Sequence, residues 1–348
     1  MADGRSRREA IRTKSAVMPG PVPAEWSPHR ALWLGFPSHP ELWEDDLAAA
    51  QAEVAALARA LAGPGQERVR LMVRGEPARA TARGLLADVQ GVEIVPSTFG
   101  DIWLRDTGPI FTGPALAAGF RFNGWGGKYA LEGDEAVAAQ IAAGAEAELL
   151  EYDVVLEGGG LDHDGAGTVL TTRQCLLSPN RNRGWREADA EAALARALGV
   201  RKVVWLGDGL VNDHTDGHVD NLARFVAAGV VACPMAFGLD DPNAAAYDAA
   251  AAILANATDA RGERLRVVRI PSPGRLVDGE HRVVPASHMN FLIANRAVIV
   301  PIYAQPAGAL AVEAVETMFP ERGVIGLPSR ALLTGGGSFH CISQQEPA

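Results

Sequence analysis

The sequence holds three cysteines, Cys175, Cys233 and Cys341, and one of them stands where a thiol could do chemistry. Cys341 follows Gly335-Gly336-Gly337-Ser338-Phe339-His340 and precedes the polar Ser343, Gln344 and Gln345. Glycines let a backbone approach a ligand closely. A cysteine displayed there can act as a nucleophile once its thiolate is stabilised. Burial as a small apolar residue is the competing reading of any free cysteine. Cys175 in TTRQCLL and Cys233 in VVACPM have apolar neighbours, so both are expected to pack inside buried strands.

The segment Asn212 to Asp220, NDHTDGHVD, is the densest run of titratable groups. Two chemistries fit it. His214, His218 and Asp220 could help to ligate zinc or a first-row metal. Alternatively one histidine is an acid–base catalyst and an aspartate faces the substrate. If His218 begins a strand, His218 and Asp220 lie on one face, because alternate strand residues do. Asp106 sits in WLRDTGP, where it either pairs with Arg105 at a turn or carries function. Glu157 lies between an apolar VVL run and three glycines. A carboxylate there is costly unless paired, so it partners a base or caps a turn.

The elements around these residues read as α/β. Apolar residues recur at helical spacing over 45–62, with further helical patterns at 133–148, 186–198, 243–257 and 308–318. The runs from Val69 and Val92 are short and β-branched, which suits strands. Alternation of strands and helices argues for an α/β architecture. Hairpin-like pairs also recur, turning near Pro114, Gly165, Gly229 and Asn295. The turns are roughly fifty to seventy residues apart, each gap leaving room for a helix, which is the spacing of a structural repeat. Polar clusters fall at matching places in these units: Trp103–Asp106, Glu157–Gly160, His218–Asn221, Ser287–Asn290 and Gly335–Cys341. Pseudo-symmetric units would bring such clusters together on a common axis.

Composition narrows the function. The net charge of −10 and the absence of a basic block disfavour nucleic acid as a partner. No apolar run is long enough to cross a bilayer. The first residues, MADGRSRREAIRTKS, lack the apolar segment of a secretion signal, so 1–17 is expected to be a disordered basic tail ahead of one catalytic domain over 18–348. Sparse cysteines in an odd number argue for a reducing compartment, here the cytoplasm.

Taken together, WLRDTGPIF, FNGWGGKY, LEGGGLDHDGAGTVLTTRQCLLSPNRN, TDGHVDNLARF and GGGSFHCISQQEP resemble the agmatine deiminase and bacterial peptidylarginine deiminase family. PAEWSPHRALWLGFPSHPELW is similar to the N-terminal segment of that family. The resemblance runs from about Met18 to the C-terminus. It implies the pentein fold, a five-bladed α/β propeller of pseudo-fivefold ββαβ-type units, in agreement with the repeat read from the turns.

The resemblance also assigns roles. It implies Cys341 as nucleophile and His218 as general acid and base, with Glu157 hydrogen-bonding and orienting that histidine. Asp106 and Asp220 would grip the guanidinium, and Trp103 would line the substrate channel. The implied reaction converts agmatine to N-carbamoylputrescine and ammonia, without metal or organic cofactor. The sequence departs from the resemblance at His214, where many agmatine deiminases carry an acid. That position bears on recognition of the distal amine, so another small guanidine or peptidyl-arginine are alternative substrates. A metal-dependent hydrolase built on His214, His218 and Asp220 is a rival, and a non-catalytic arginine-binding module is a third reading. The expected partner is a small cationic guanidine, with no nucleic acid and no membrane; homo-oligomerisation is left open.

Overall fold

A computed structural model describes residues 20–348 of the protein. The tail expected over 1–17 lies outside the described residues. The strands form five small sheets. The second blade shows the unit most plainly. Ile110–Gly113 pairs antiparallel with Leu116–Arg121, the helix Val137–Gly144 crosses over, and Glu148–Val155 adds in parallel. The same ββαβ order recurs with helices Glu187–Leu198, Ala244–Asn256 and Ala307–Met318 in the next three blades. Parallel neighbours need a crossover of this length, which is why each blade carries a helix.

The first blade is closed by the two ends of the described chain. Ser343–Pro347 runs antiparallel to His29–Gly35, with Trp33 opposite Gln344 and Leu34 opposite Ser343. Val69–Val73 and Val92–Pro96 extend it in parallel. Helix Leu47–Ala62 covers this blade through Ala50, Val54, Leu57, Ala58 and Leu61, all buried and spaced for one helical face. A helix not expected from the sequence, Glu76–Leu85, joins the last two strands.

The turns sit where the sequence places them, and all five polar clusters occupy one structural position. Each lies just ahead of the hairpin strand that opens its blade. Leu104–Thr107, Gly158–Gly160, Val219–Asn221 and His288–Asn290 are single helical turns preceding the strands that start at Ile110, Asp162, Arg224 and Leu292. Cys341 stands two residues before Ser343–Pro347. Arg224 ties the centre together without solvent exposure. It donates to Asp162 Oδ2 at 2.6 Å and to the carbonyls of Met289 and Phe291 at 3.2 and 3.0 Å, and it pairs with Glu25.

Candidate active site

The placement of these turns corrects one expectation. His218 does not begin a strand; it precedes the turn Val219–Asn221, and the strand starts only at Arg224. His218 and Asp220 therefore face different partners. His218 Nδ1 lies 3.6 Å from Asp106 Oδ1, and its Nε2 lies 3.9 Å from Glu157 Oε2. Asp220 Oδ2 instead bonds His340 Nδ1 at 2.8 Å and lies 3.6 Å from Cys341 Sγ.

Glu157 also differs from expectation. It contacts His218 at ion-pair distance, not as a hydrogen bond, and both its oxygens accept from Arg181 Nε at 3.0 and 2.8 Å. Arg181 goes on to bond Asp216 and the Thr215 carbonyl, bracing the loop ahead of His218. Asp106 does not pair with Arg105. It accepts from the Gly159 amide and from Trp125 Nε1, each at 2.9 Å. The Arg105 guanidinium turns to the C-terminal strand, reaching Gln345 Oε1 at 2.7 Å and Ser343 Oγ at 3.3 Å. Arg105 N–H donates to the Cys341 carbonyl at 3.0 Å, locking the Asp106 turn to the Cys341 turn. Glycine is required at position 159, since a Cβ there would meet His218 Nδ1 at 2.6 Å and Asp106 Oδ1 at 2.8 Å.

Cys341 is buried, 5% exposed, in a turn on the floor of a cavity. The cavity measures about 250 Å³, and Asp106, Trp43, Trp103, Trp125 and Tyr129 share its wall. Two indoles, of Trp43 and Trp103, are fixed by donating to Asp101 at 3.0 and 2.8 Å. His214 stands at the exposed rim, its ring stacked on Tyr129. Of the six expected site residues, Cys341, Asp106 and Trp103 line the cavity. His218, Glu157 and Asp220 are buried.

Sequence reasoning gave no role to Asn290, although its cluster was visible. Asn290 Nδ2 lies 3.1 Å from Cys341 Sγ, and its Oδ1 accepts from the His340 and Cys341 amides at 2.9 and 3.3 Å. Trp125, Tyr129 and Arg181 were likewise given no role; FNGWGGKY and SPNRN held the signal, but only folding brings the two aromatics to the cavity and Arg181 to Glu157.

The electrostatics oppose a resting thiolate. Burial pushes the Cys341 thiol well above its usual value, and the Asp220 and Asp106 carboxylates push the same way. Burial likewise raises the Asp106 carboxyl, which Asp220 reinforces and His218 opposes. His218 goes the other way. Burial disfavours its charge, but Asp106 foremost, then Cys175 and Glu157, raise it well above the ordinary histidine value. Burial also works against Asp220, yet its bond to His340 holds it below the carboxylate norm.

The other cysteines divide. Cys233 is buried in the strand Val230–Met235, its thiol pushed up to about 12 by burial, as its apolar context implies. Cys175 lies in the short helix Arg173–Leu176, not in a strand. Its thiol approaches His218 and Glu157, the donor atoms of all three lying within 4.8 Å of one another. The rival set of His214, His218 and Asp220 is not assembled, since His214 is at the rim and Asp220 is bound to His340. The Glu157–Cys175–His218 group fits a cation poorly, because the Arg181 guanidinium already holds both Glu157 oxygens. Among the described residues no helix is long and apolar enough to cross a membrane.

The chain is similar to known proteins along nearly its whole length. It is 39% identical to an agmatine deiminase of Stutzerimonas stutzeri, over 94% of this chain and 95% of that one. Its fold matches the agmatine deiminase of Enterococcus faecalis with a TM-score of 0.88 at 32% identity, covering 94% of this chain and 96% of that one. It also matches a cysteine-to-serine agmatine deiminase of C. jejuni solved with substrate bound, with a TM-score of 0.85 at 27% identity, covering 94% and 96%. The architecture is the pentein propeller. The model of the Porphyromonas-type peptidyl-arginine deiminase family matches residues 21–347, and the chain belongs to that family.

Proposed function

We propose that the chain, as one catalytic domain over 18–348, hydrolyses agmatine to N-carbamoylputrescine and ammonia through a covalent bond to Cys341. One observation carries this reading: the Cys341 thiol lies at the bottom of an aromatic cavity with Asp106 in its wall and Asp220 3.6 Å from Sγ. Guanidinium is planar, permanently charged and matched to carboxylates. Two carboxylates can hold it with its carbon open to Sγ. The indole and phenol faces of the wall suit a cation and an alkyl chain.

The raised thiol gives the sequence of events. Cys341 enters as a thiol, and the bound guanidinium offsets the two carboxylates so that its proton leaves to solvent. The thiolate adds to the guanidinium carbon. His218, charged at rest, donates its proton to one nitrogen, and ammonia departs. A thiouronium remains on Cys341. Neutral His218 then takes a proton from water, and the hydroxide adds to the same carbon. Collapse breaks the carbon–sulfur bond, returns the hydroxyl proton to the thiol and frees the ureido product. The proton first lost and the ammonia together make ammonium. Arg181 holds the Glu157 carboxylate 3.9 Å from His218 Nε2, where it faces the charged ring, and no step needs a metal.

Three cysteines without a disulfide among them suit a reducing compartment, so the reading places the enzyme in the cytoplasm, on the route to putrescine. The small cavity, about 250 Å³ and walled by indole and phenol rings, favours a small guanidine over peptidyl-arginine. Release of ammonia and ureido product over a panel of agmatine, arginine, methylated arginines and an arginine peptide tests this. Agmatine is expected to have the highest kcat/KM; a preference for the peptide would overturn the substrate assignment.

A further inference from the structure

The residue immediately before Cys341 has no part in the steps above. His340 is buried, 2% exposed, with a carboxylate on each side of its ring. Nδ1 lies 2.8 Å from Asp220 Oδ2, and Nε2 lies 3.2 Å from Glu25 Oε2. Glu25 is itself held by Arg224, the central arginine that also grips Asp162. Its other oxygen accepts from the Ile293 amide at 2.8 Å. The backbone amide of His340 is pinned by Asn290 Oδ1 at 2.9 Å. The ring therefore cannot shift without breaking contacts to two other segments, and its backbone is held by a third.

Asp220 shows what this fixing achieves. Oδ2 takes the His340 bond and also faces Asn290 Nδ2 at 3.4 Å and Cys341 Sγ at 3.6 Å. Oδ1 is buried and has no hydrogen-bond partner. An orphaned carboxylate oxygen in a desolvated site is costly, and it is the atom a guanidinium N–H would satisfy. We propose that His340 is a positioning residue for the deimination, a strut that holds Asp220 Oδ2 beside Cys341 so that Oδ1 stays turned to the substrate, with Glu25 and Arg224 as its footing. This rests on the reading of Asp220 as a guanidinium ligand. The groups bearing on Asp220 are His340, His218, Arg224 and Arg105, which favour its charge, the Asp106 carboxylate, which opposes it, and the Cys341 thiol.

The test compares His340→Gln, His340→Leu and Glu25→Gln with wild type. Glutamine keeps an N–H that can reach Asp220; leucine keeps bulk without a donor. For His340→Leu, KM for agmatine should rise about 10- to 100-fold, the value of one hydrogen bond to a charged group. Its kcat/KM should also fall off at higher pH on the acid side, because Asp220 loses the partner that holds its carboxyl low. His340→Gln should recover most of the KM. Glu25→Gln should show a smaller rise in the same direction, and it carries the test if the leucine variant does not fold. Equal losses for glutamine and leucine, with an unmoved acid limb, would mean that His340 only fills space, and the proposal fails. Absence of agmatine turnover in the wild type would instead remove the reading beneath it.

Discussion

At the residue scale, Cys341 is set against its own ionisation until a cation arrives. Burial and two carboxylates raise the thiol, and the same carboxylate, Asp106, keeps His218 charged. This gives a pH signature. A histidine with a raised pKa stays protonated beyond its ordinary value of about 6.5, so the limb of kcat/KM that reports the loss of the His218 proton should lie well above it. The sign for stability is the same. The contribution of charged His218 is full below the unfolded pKa and is lost as pH rises through the folded one. Melting temperature should thus decline over the alkaline range in which activity falls. A falling limb near the ordinary value would contradict the resting charge assigned here. Asp106→Asn and Asp220→Asn should each lower kcat/KM by roughly a hundred- to several-thousand-fold, since losing one partner of a desolvated charge pair costs about 3–5 kcal/mol. Steady-state kinetics and a thermal melt on both variants check this, with the rate expected to fall far more than stability.

At the scale of elements, the C-terminal strand both closes the ring and anchors the Cys341 turn. Glu346 is fully buried on it, accepting from Trp33 Nε1 at 2.9 Å and Arg70 Nη1 at 3.0 Å and pairing with Arg30. Glu346→Ala leaves Arg70 without this buried partner and should cost about 3 kcal/mol of stability. The variant that remains folded should keep kcat/KM within a few-fold of wild type, because the partners of Glu346, Trp33, Arg70 and Arg30, do not line the cavity. A denaturant melt with kinetics below the transition measures both. Helix boundaries carry their own lesson. The pattern over 133–148 reads as one helix, but the structure starts with a single turn at Asp134–Ala136 and ends the helix at Gly144. Gly144 backs onto the Trp33 ring, where an added Cβ would come within 2.5 Å, and the chain must enter a strand at Glu148. Tertiary packing, not periodicity, ends that helix.

For the whole molecule, local signals were legible and long-range partners were not. The turns near Pro114, Gly165, Gly229 and Asn295 announced the blades because glycine, proline and asparagine favour turns locally. The matching polar clusters announced a common centre. Pairing of His29–Gly35 with Ser343–Pro347 has no local signature, since it joins the two ends of the described chain. For the same reason the sequence showed that Glu157 needs a partner but not that Arg181 is the one. It placed Asn290 in a cluster without revealing its contact with Sγ, and it assigned Cys175 to a strand when the residue adjoins His218. The central claim is a covalent intermediate at Cys341, and rapid quenching of the enzyme with agmatine tests it most directly. Intact-mass and peptide analysis should find an adduct on Cys341 equal to the substrate less ammonia, absent from Cys341→Ser, while Cys341→Ser stays folded and loses turnover. Substantial turnover by Cys341→Ser, or an adduct on Cys175 or Cys233 instead, would contradict the account.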